Sequence, residues 1–515
     1  MCGIAGLILK EGYASQNLAP ILSLVQHRGQ DAAGISSINN EGEITTRKNL
    51  GLVSAVFEPT PRTPVDEETR KFTVFTKIPL STLEGRVAVA HVRYRTHGGA
   101  GEENAQPFAW NSPDLTVSVT LSHNGHITNY NDLATDIAEH EDPLSRQCDA
   151  EPIVRLLARE LNAQSGIEET MDAAGRVMDQ LEGAYSITAA VHNRATRQTY
   201  LVTFRDPYGL RPCMIGEKER MFAAASESVA LDLNGFRNIR DVQPGEVVVV
   251  DEKLEQHSQQ VRDGKLKICQ FEYSYFADAF SIIEGRYVND IRYRMGVEIA
   301  KENPELGDKI DIVMPVPNTA IPGAEGFRDA LGLEYRTGVA KYRFAWRNFL
   351  AATQDERVKR TARNMMVHRG ILTGKRVALV DDSIVRSTTS RQLVGHCRKA
   401  GAEEVYFLSL TPQIRFPCNY GIDTPTREEL IAAHNSDEAI AQKIGVSRVI
   451  YLSLRGWQKV LTDANGDVTK ELIEQGVMHP STNKALCKGD FCYKCLTGVE
   501  PTDKIPYKIN LIKDF

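Results

Sequence analysis

Arg376–Leu410 constrains the chain more than any other stretch. Arg376–Val380 is a compact apolar strand, Asp381–Ser387 a polar loop, and Val405–Leu410 a second strand. Between them Thr388–Ala400 has helical spacing at Leu393, Val394 and Cys397, and Gly401 is a natural C-terminal stop. Strand, helix and strand in that order predict a parallel sheet with helices on its faces. Ile312–Met314 reads as another strand of the same region, roughly 270–460. A chain of 515 residues holds two to four domains at roughly 100–200 residues each, so this sheet is one part of a larger molecule.

Residues 1 to about 250 have a different pattern. In Leu115–Ser122 the residues Leu115, Val117, Val119 and Leu121 alternate with Thr116, Ser118, Thr120 and Ser122, which predicts a sheet with one buried face. Arg86–Val92, Tyr185–Val191 and Tyr200–Phe204 read as further strands, with helices over Ala19–Gln26 and Glu151–Leu161. A layered α/β sandwich of sheets covered by helices follows. The turn Pro244-Gly245 and the polar stretch Asp251–Lys267 read as a hairpin or linker. The expected organisation is therefore a first domain at 2–250, a linker hairpin at 251–270, a second domain at 271–465 and a tail at 466–515. The tail has weak periodicity, which suggests an irregular segment held by something other than a core.

The charge count, 61 basic against 67 acidic residues, makes the chain a poor candidate for wrapping nucleic acid or an anionic membrane by bulk charge. No apolar run approaches the ~20 residues of a membrane span, and no basic segment precedes the apolar N-terminal run, so no signal peptide is expected. Nine cysteines, odd in number and unevenly spaced, suit a reducing cytoplasm where they serve as thiols or metal ligands.

Three constellations carry chemistry. The first begins at Cys2, in Cys-Gly-Ile-Ala-Gly. Residue 2 is small, so Met1 is expected to be removed, which sets the thiol beside a free α-amine. Such an amine titrates near ~7.7–8.0 and can serve as the thiol's own base. The alternative is a buried cysteine in a first strand. His27–Asp31, Arg93, His123-Asn124-Gly125 and Asp149 fall at predicted strand ends and loops, where catalytic groups are usually placed. The second is Asp381-Asp382 followed by the hydroxyl-rich Ser383–Ser390. Loop N–H groups and a helix N-terminus suit a phosphate monoester, and the carboxylates suit ribose hydroxyls or magnesium. An N-capped helix after a strand is the plainer alternative. The third is the pair Cys492 and Cys495, on its own half a zinc site, a redox pair or neither. Cys487, Cys492 and Cys495 also match a plant-type ferredoxin spacing, which needs a fourth ligand. Cys148, Cys213 and Cys397 read as core cysteines.

Cys2, Arg93, Asn124-Gly125, Asp149, Gln106-Pro107-Phe108, Gly183–Ser186 and Arg205-Asp206-Pro207 together resemble the class II glutamine amidotransferase domain, an N-terminal-nucleophile hydrolase with an α-β-β-α sandwich. The resemblance implies that Cys2 attacks the glutamine amide while Asn124 and the Gly125 N–H form an oxyanion hole. It also implies that Arg93 holds the α-carboxylate, that Asp149 holds the α-ammonium, and that Arg28 and Thr96 bind glutamine too. Arg95 departs from the usual pattern, which has Ser there.

The stretch 377–390 resembles the phosphoribosyl pyrophosphate motif of type I phosphoribosyltransferases. That implies Asp381 and Asp382 on the ribose, and Ser383, Arg386, Ser387, Thr388 and Thr389 around the 5′-phosphate. It also implies a pyrophosphate loop at Pro315–Thr319, a closing loop from Lys341 through Phe349 with Arg343 and Arg347, and magnesium at Thr319, Asp381 and Asp382. Asn318 stands where Asp is usual, and Ser387 and Trp346 where Gly is usual. The stretch 361–367 matches poorly. The two domains joined resemble a family of glutamine-dependent phosphoribosyl-transferring enzymes, some with a 4Fe–4S cluster. In this chain its ligands would be Cys269, Cys418, Cys492 and Cys495.

The implied reaction is nitrogen transfer from glutamine to phosphoribosyl pyrophosphate, which opens purine synthesis. Purine nucleotides are implied as inhibitors, and a homo-oligomer as the assembly. A non-catalytic paralogue that binds phosphoribosyl pyrophosphate or nucleotide is the alternative, motivated by Asn318, Trp346 and the 361–367 stretch. No Ser-Gly-Gly-x-Asp-Ser adenylating loop is present, so asparagine synthetase fits badly.

Overall fold

The computed structural model describes residues 2–58, 77–94, 101–341, 365–424, 426–463 and 467–502, with the side chains of 467–469 excepted. The first half is a sandwich of two antiparallel sheets. One has seven strands in the order Arg237–Asp241, Met214–Lys218, Met221–Ala225, Gly3–Leu9, Val87–Arg93, Ala32–Ile38 and Ile44–Leu50. The other has six, in the order Gln256–Gln260, Glu246–Val250, Gln198–Arg205, Gly183–Asn193, Val117–Ile127 and Phe108–Asn111. The helix Ala14–Leu24 packs on the outer face of the first sheet, and Ala150–Arg159 and Ile167–Gln180 pack on that of the second. The segment read as a linker hairpin thus supplies the edge strand Gln256–Gln260.

The alternating strand differs from expectation in three ways. It starts at Val117, because Leu115 lies in a turn at φ 58° and is 63% exposed. It runs on to Ile127, so Asn124 and Gly125 lie within it, not after it. Both faces are buried, not one. Val117, Val119 and Leu121 meet the helices, whereas Ser118, Thr120 and Ser122 are buried among small polar groups, and the Thr120 hydroxyl donates to Ser36 Oγ across the two sheets at 2.9 Å. Hydrogen bonding lets the hydroxyls be buried, so polar letters here do not mark solvent.

The second half is a five-stranded parallel sheet in the order Glu334–Tyr335, Ile312–Pro315, Arg376–Asp381, Glu404–Ser409 and Arg448–Tyr451. Ala378 and Val380 pack with the helices Val288–Glu302, Ile321–Leu331 and Leu454–Asp463. Val377 and Leu379 pack with Thr388–Lys399 and Asp437–Ile444. A strand covered on both faces has to be apolar where it is covered, as Val377–Val380 is. The order reverses between Ile312–Pro315 and Arg376–Asp381, and the crevice beyond the carboxyl ends of such strands is where open α/β sheets bind ligands.

The tail is not held apart from a core. Ile239 N donates to Val477 O at 3.0 Å, and Leu472, Ile473, Val477 and Met478 join the first half's core. So short an apolar run, docking on an existing core, has no periodicity to read. Farther on, Phe491–Cys492 pairs in parallel with Ile268–Cys269.

Candidate active sites and the cleft between them

Cys2 precedes the central strand of the seven-stranded sheet and faces Asn124 of the other sheet. Its backbone nitrogen donates to Asn124 Oδ1 at 3.2 Å, and Sγ lies 3.6 Å from Tyr94 O. Asn124 Nδ2 is buried without a hydrogen-bond partner, so one strong donor next to the thiol remains available. Gly125 is obligatory, because a Cβ there would lie 1.9 Å from Ala184 O. Burial pushes the Cys2 thiol up, with Asp149 adding to the rise and Arg93 opposing it, so deprotonation needs an adjacent base. Burial works against the Asp149 carboxylate too, yet His123 and His126 hold it well below the usual range. Asp149 accepts from Ile127 N at 3.2 Å and lies 3.4 Å from His123 Nδ1. Arg93, buried at the end of its strand, reaches Gly101 O at 3.4 Å. Thr96 and Arg95 lie outside the described residues.

Arg28 points inward rather than toward open space. Its Nε donates to Cys2 O at 3.0 Å, Nη1 to Glu227 at 2.6 Å, and both terminal nitrogens to Glu272 at 3.0 and 2.9 Å. Glu227 also accepts from Ser281 Oγ at 2.6 Å and Asp278 N at 2.8 Å, so this buried cluster joins the two halves.

At the switch point of the parallel sheet, Asp382 Oδ2 accepts from the Thr319 hydroxyl and Oδ1 from Ser383 Oγ at 2.8 Å. Burial pushes both carboxyls of the pair up; Asp382 adds to the rise at Asp381, and Lys341 opposes it at both. Arg386 pairs at the surface with Glu429 at 2.5 Å. Arg347, Arg343, Trp346 and residues 361–364 lie outside the described residues.

Ser387 caps the helix Thr388–Lys399 at φ 60°, a left-handed conformation that costs a non-glycine residue about 1–2 kcal/mol. Glycine there loses roughly 0.4–1 kcal/mol to unfolded-chain freedom. Ser387→Gly is therefore expected to stabilise this unit by about 0.5 kcal/mol, read as a higher urea midpoint at unchanged slope. A lower midpoint would mean that the serine hydroxyl outweighs the strain.

Cys269 and Cys492 lie on the short strands Ile268–Cys269 and Phe491–Cys492, Cys495 in the helical turn Lys494–Thr497 and Cys418 on a loop. Cys269 and Cys492 are register partners, and Cys495 O accepts from Arg415 N and Phe416 N, just before Cys418. Gln270 Nε2 donates to Cys495 Sγ at 3.3 Å and Tyr420 N to Cys418 Sγ at 3.3 Å. Burial pushes Cys269 up to about 11; Arg211 opposes the rise and Cys418 adds to it. All nine cysteines are free; Cys487 is exposed, and Cys148, Cys213 and Cys397 are buried.

A cleft of about 530 Å³ is lined from both halves of the chain. The first half contributes Arg28 and Tyr94; the second contributes Tyr275, Arg292, Thr319 and Lys341. Sequence reasoning missed Arg292, Glu227 and Glu272. Arg292 was detectable as a cation on the buried stripe of Val288–Glu302, between Ile291 and Met295.

The comparisons agree with this geometry. A family model described as a glutamine amidotransferase domain matches residues 91–233. An amidophosphoribosyltransferase of Pasteurella multocida is 37% identical, covering 88% of this chain and 87% of that protein. One from Methanothermobacter thermautotrophicus is 36% identical over 97% and 94%. Among solved structures, the glutamine phosphoribosylpyrophosphate amidotransferase of Bacillus subtilis, complexed with ADP and GMP, matches with a TM-score of 0.79 at 32% identity, covering 98% of each chain.

Proposed function

The chain belongs to the amidophosphoribosyltransferase family, and from that premise we propose how its two sites share one reaction. Glutamine, phosphoribosyl pyrophosphate and water give 5-phosphoribosylamine, glutamate and pyrophosphate. Cys2 Sγ attacks the amide carbon of glutamine, forming a thioester and releasing ammonia; water then releases glutamate. Once Met1 is gone, the Cys2 amine takes the thiol proton, and Asn124 Oδ1 orients that nitrogen. Asn124 Nδ2 and the Gly125 N–H receive the negative oxygen, and such a donor is worth about 2.7–4 kcal/mol. Arg93 and Asp149 hold the two charged ends of the amino acid.

In the second half, Asp381 and Asp382 hold the ribose hydroxyls. Ser383, Ser387, Thr388 and Thr389 surround the 5′-phosphate at the helix N-terminus, with Arg386 at the rim. Lys341 and Thr319 face the pyrophosphate. The oxygen donors of Thr319, Asp381 and Asp382 fit magnesium, which when bound neutralises the leaving group. We further propose purine nucleotides as ligands, as in the Bacillus subtilis complex with ADP and GMP, and a homo-oligomeric assembly.

Cys269, Cys418, Cys492 and Cys495 fit a 4Fe–4S cluster: four buried or half-buried thiols, two of them already accepting hydrogen bonds. A single zinc, at about 2.3 Å from each sulfur, would draw its ligands to roughly 3.8 Å from one another. Among the described residues, the metal-sized group found with its ligand atoms within 4.8 Å is Asp251, Glu255 and His257, with none of these cysteines. A cluster would tie the Phe491–Thr497 segment to the body.

The observation that carries the reading is the cleft lined from both halves, which includes Tyr94, whose carbonyl faces the Cys2 thiol, and Thr319, whose hydroxyl donates to Asp382; it supports transfer of ammonia from one site to the other. The test uses one untagged, anaerobically purified sample. Supplied with glutamine and phosphoribosyl pyrophosphate, it should release pyrophosphate and phosphoribosylamine in equal amounts, and it should be brown and contain iron. Binding without pyrophosphate release sinks the catalytic reading; a colourless, iron-free sample sinks the cluster.

A further inference from the structure

Two separate contacts join the four-cysteine region to the surroundings of Cys2. The first is direct packing. Gly421, at φ 103°, lies so close to the strand Val117–Ile127 that a Cβ on it would sit 3.3 Å from Gly125 O and 3.3 Å from Arg211 Nη2. The loop that begins at Cys418 thus rests on the backbone of the residue assigned to the oxyanion hole. Within that loop Tyr420 N donates to Cys418 Sγ at 3.3 Å, and Tyr420 O accepts from Arg211 Nη2.

The second contact is a line of buried charge. Arg211 Nη1 lies 3.8 Å from Glu272 Oε1. Glu272 stands three residues after Cys269 and binds Arg28 through both oxygens, at 2.9 and 3.0 Å. Arg28 donates to Cys2 O at 3.0 Å. The side chains of Arg28, Glu272 and Arg211 are all 0% exposed, so none can trade its neighbour for water. The sign alternates along the line, and at its far end Arg211 is within electrostatic reach of Cys269 and Cys418.

We propose that Arg211 and Glu272 are positioning residues that make the geometry of Cys2 and Gly125 depend on that of the four-cysteine region. The proposal rests on the reading of Cys2, Asn124 and Gly125 as the glutamine site. Neither residue touches glutamine. They act by fixing Arg28 under the Cys2 carbonyl and the Cys418–Gly421 loop against Gly125. Disturbing the line therefore weakens glutamine chemistry and spares ammonia use at the other end of the cleft.

The test compares the unaltered chain with Arg211→Gln, Arg211→Lys and Gly421→Ala. The first readout is the rate at which a glutamine-like diazoketone alkylates Cys2, followed by intact mass and measured with and without iron. The others are kcat and KM for glutamine, the ammonia-dependent rate and the iron content. Arg211→Gln should slow alkylation and glutamine kcat by about tenfold, the scale of one lost charge-assisted hydrogen bond. The ammonia-dependent rate should stay within about twofold, and Arg211→Lys should recover part of the loss. Gly421→Ala, which keeps every charge, should show the same selective loss if Arg211→Gln does not fold. Removing iron from the unaltered chain should slow alkylation as well. Unchanged alkylation in both variants overturns the proposal, and so does an equal fall of the glutamine- and ammonia-dependent rates. Failure of the unaltered chain to be labelled at Cys2 sinks the glutamine-site reading instead.

Discussion

Cys2→Ala is expected to abolish glutamine-dependent synthesis, by roughly 10⁴-fold or more, and to leave the ammonia-dependent rate within about twofold. The asymmetry follows from where the residue sits. Its thiol lies 3.6 Å from Tyr94 O, its backbone nitrogen donates to Asn124 Oδ1, and the buried Cys148 has no α-amine of its own to serve as base. Alanine fills the space without creating a buried charge, so the fold should survive. Ammonia supplied from solution enters the cleft directly and meets the same ribose site. The measurement is phosphoribosylamine formation with each nitrogen source at saturating phosphoribosyl pyrophosphate. Loss of both activities, or of neither, would refute the division between the two halves. Intact mass gives an independent check, because active material that retains Met1 has no free amine at Cys2 to serve as base.

Replacing Asp381 and Asp382 together by Asn should have the converse selectivity. Two charge-assisted hydrogen bonds at roughly 1.5–3 kcal/mol each amount to about 3–6 kcal/mol, or 10²–10⁴ in rate. Glutamine- and ammonia-dependent synthesis should fall by that factor together, whereas alkylation of Cys2 by the diazoketone continues. Stability should not fall in parallel. Asp382 is buried, Asp381 half-buried and each carboxyl is pushed up, so the substitution removes an electrostatic conflict and keeps the shape. A double variant that synthesises at the original rate would place the ribose site elsewhere.

The parts of the molecule legible in the sequence are those whose chemistry is local. Val377–Val380 is apolar because helices cover both its faces, and the acidic pair and hydroxyl loop follow directly from it, so one short window holds the strand, the turn and the candidate ligand groups. Cys2 read as a candidate nucleophile only together with Arg93, Asn124-Gly125 and Asp149, because position alone fits a buried cysteine in a first strand equally well. What escaped notice depends on distance along the chain. Glu272 reads as one acid in an aromatic run, and only the fold brings it to Arg28, 244 residues away. Arg292 looks like an ordinary helix cation until its stripe is seen to be buried. The hydroxyls of Ser118, Thr120 and Ser122 signal solvent in a single sheet and an interior layer in a sandwich; nothing within Leu115–Ser122 distinguishes the two.

The parallel pairing of Ile268–Cys269 with Phe491–Cys492 has a consequence for biogenesis. Proteins emerge from the ribosome N-terminus first and fold domain by domain. The glutamine-cleaving half is therefore translated long before Cys492 and Cys495 leave the exit tunnel. If the coupling through Arg211 holds, a nascent chain carries a nucleophile that is already made but not yet aligned. Nitrogen would then not be squandered on incomplete polypeptides, because the cleaving machinery becomes competent only once the acceptor site downstream has also been built.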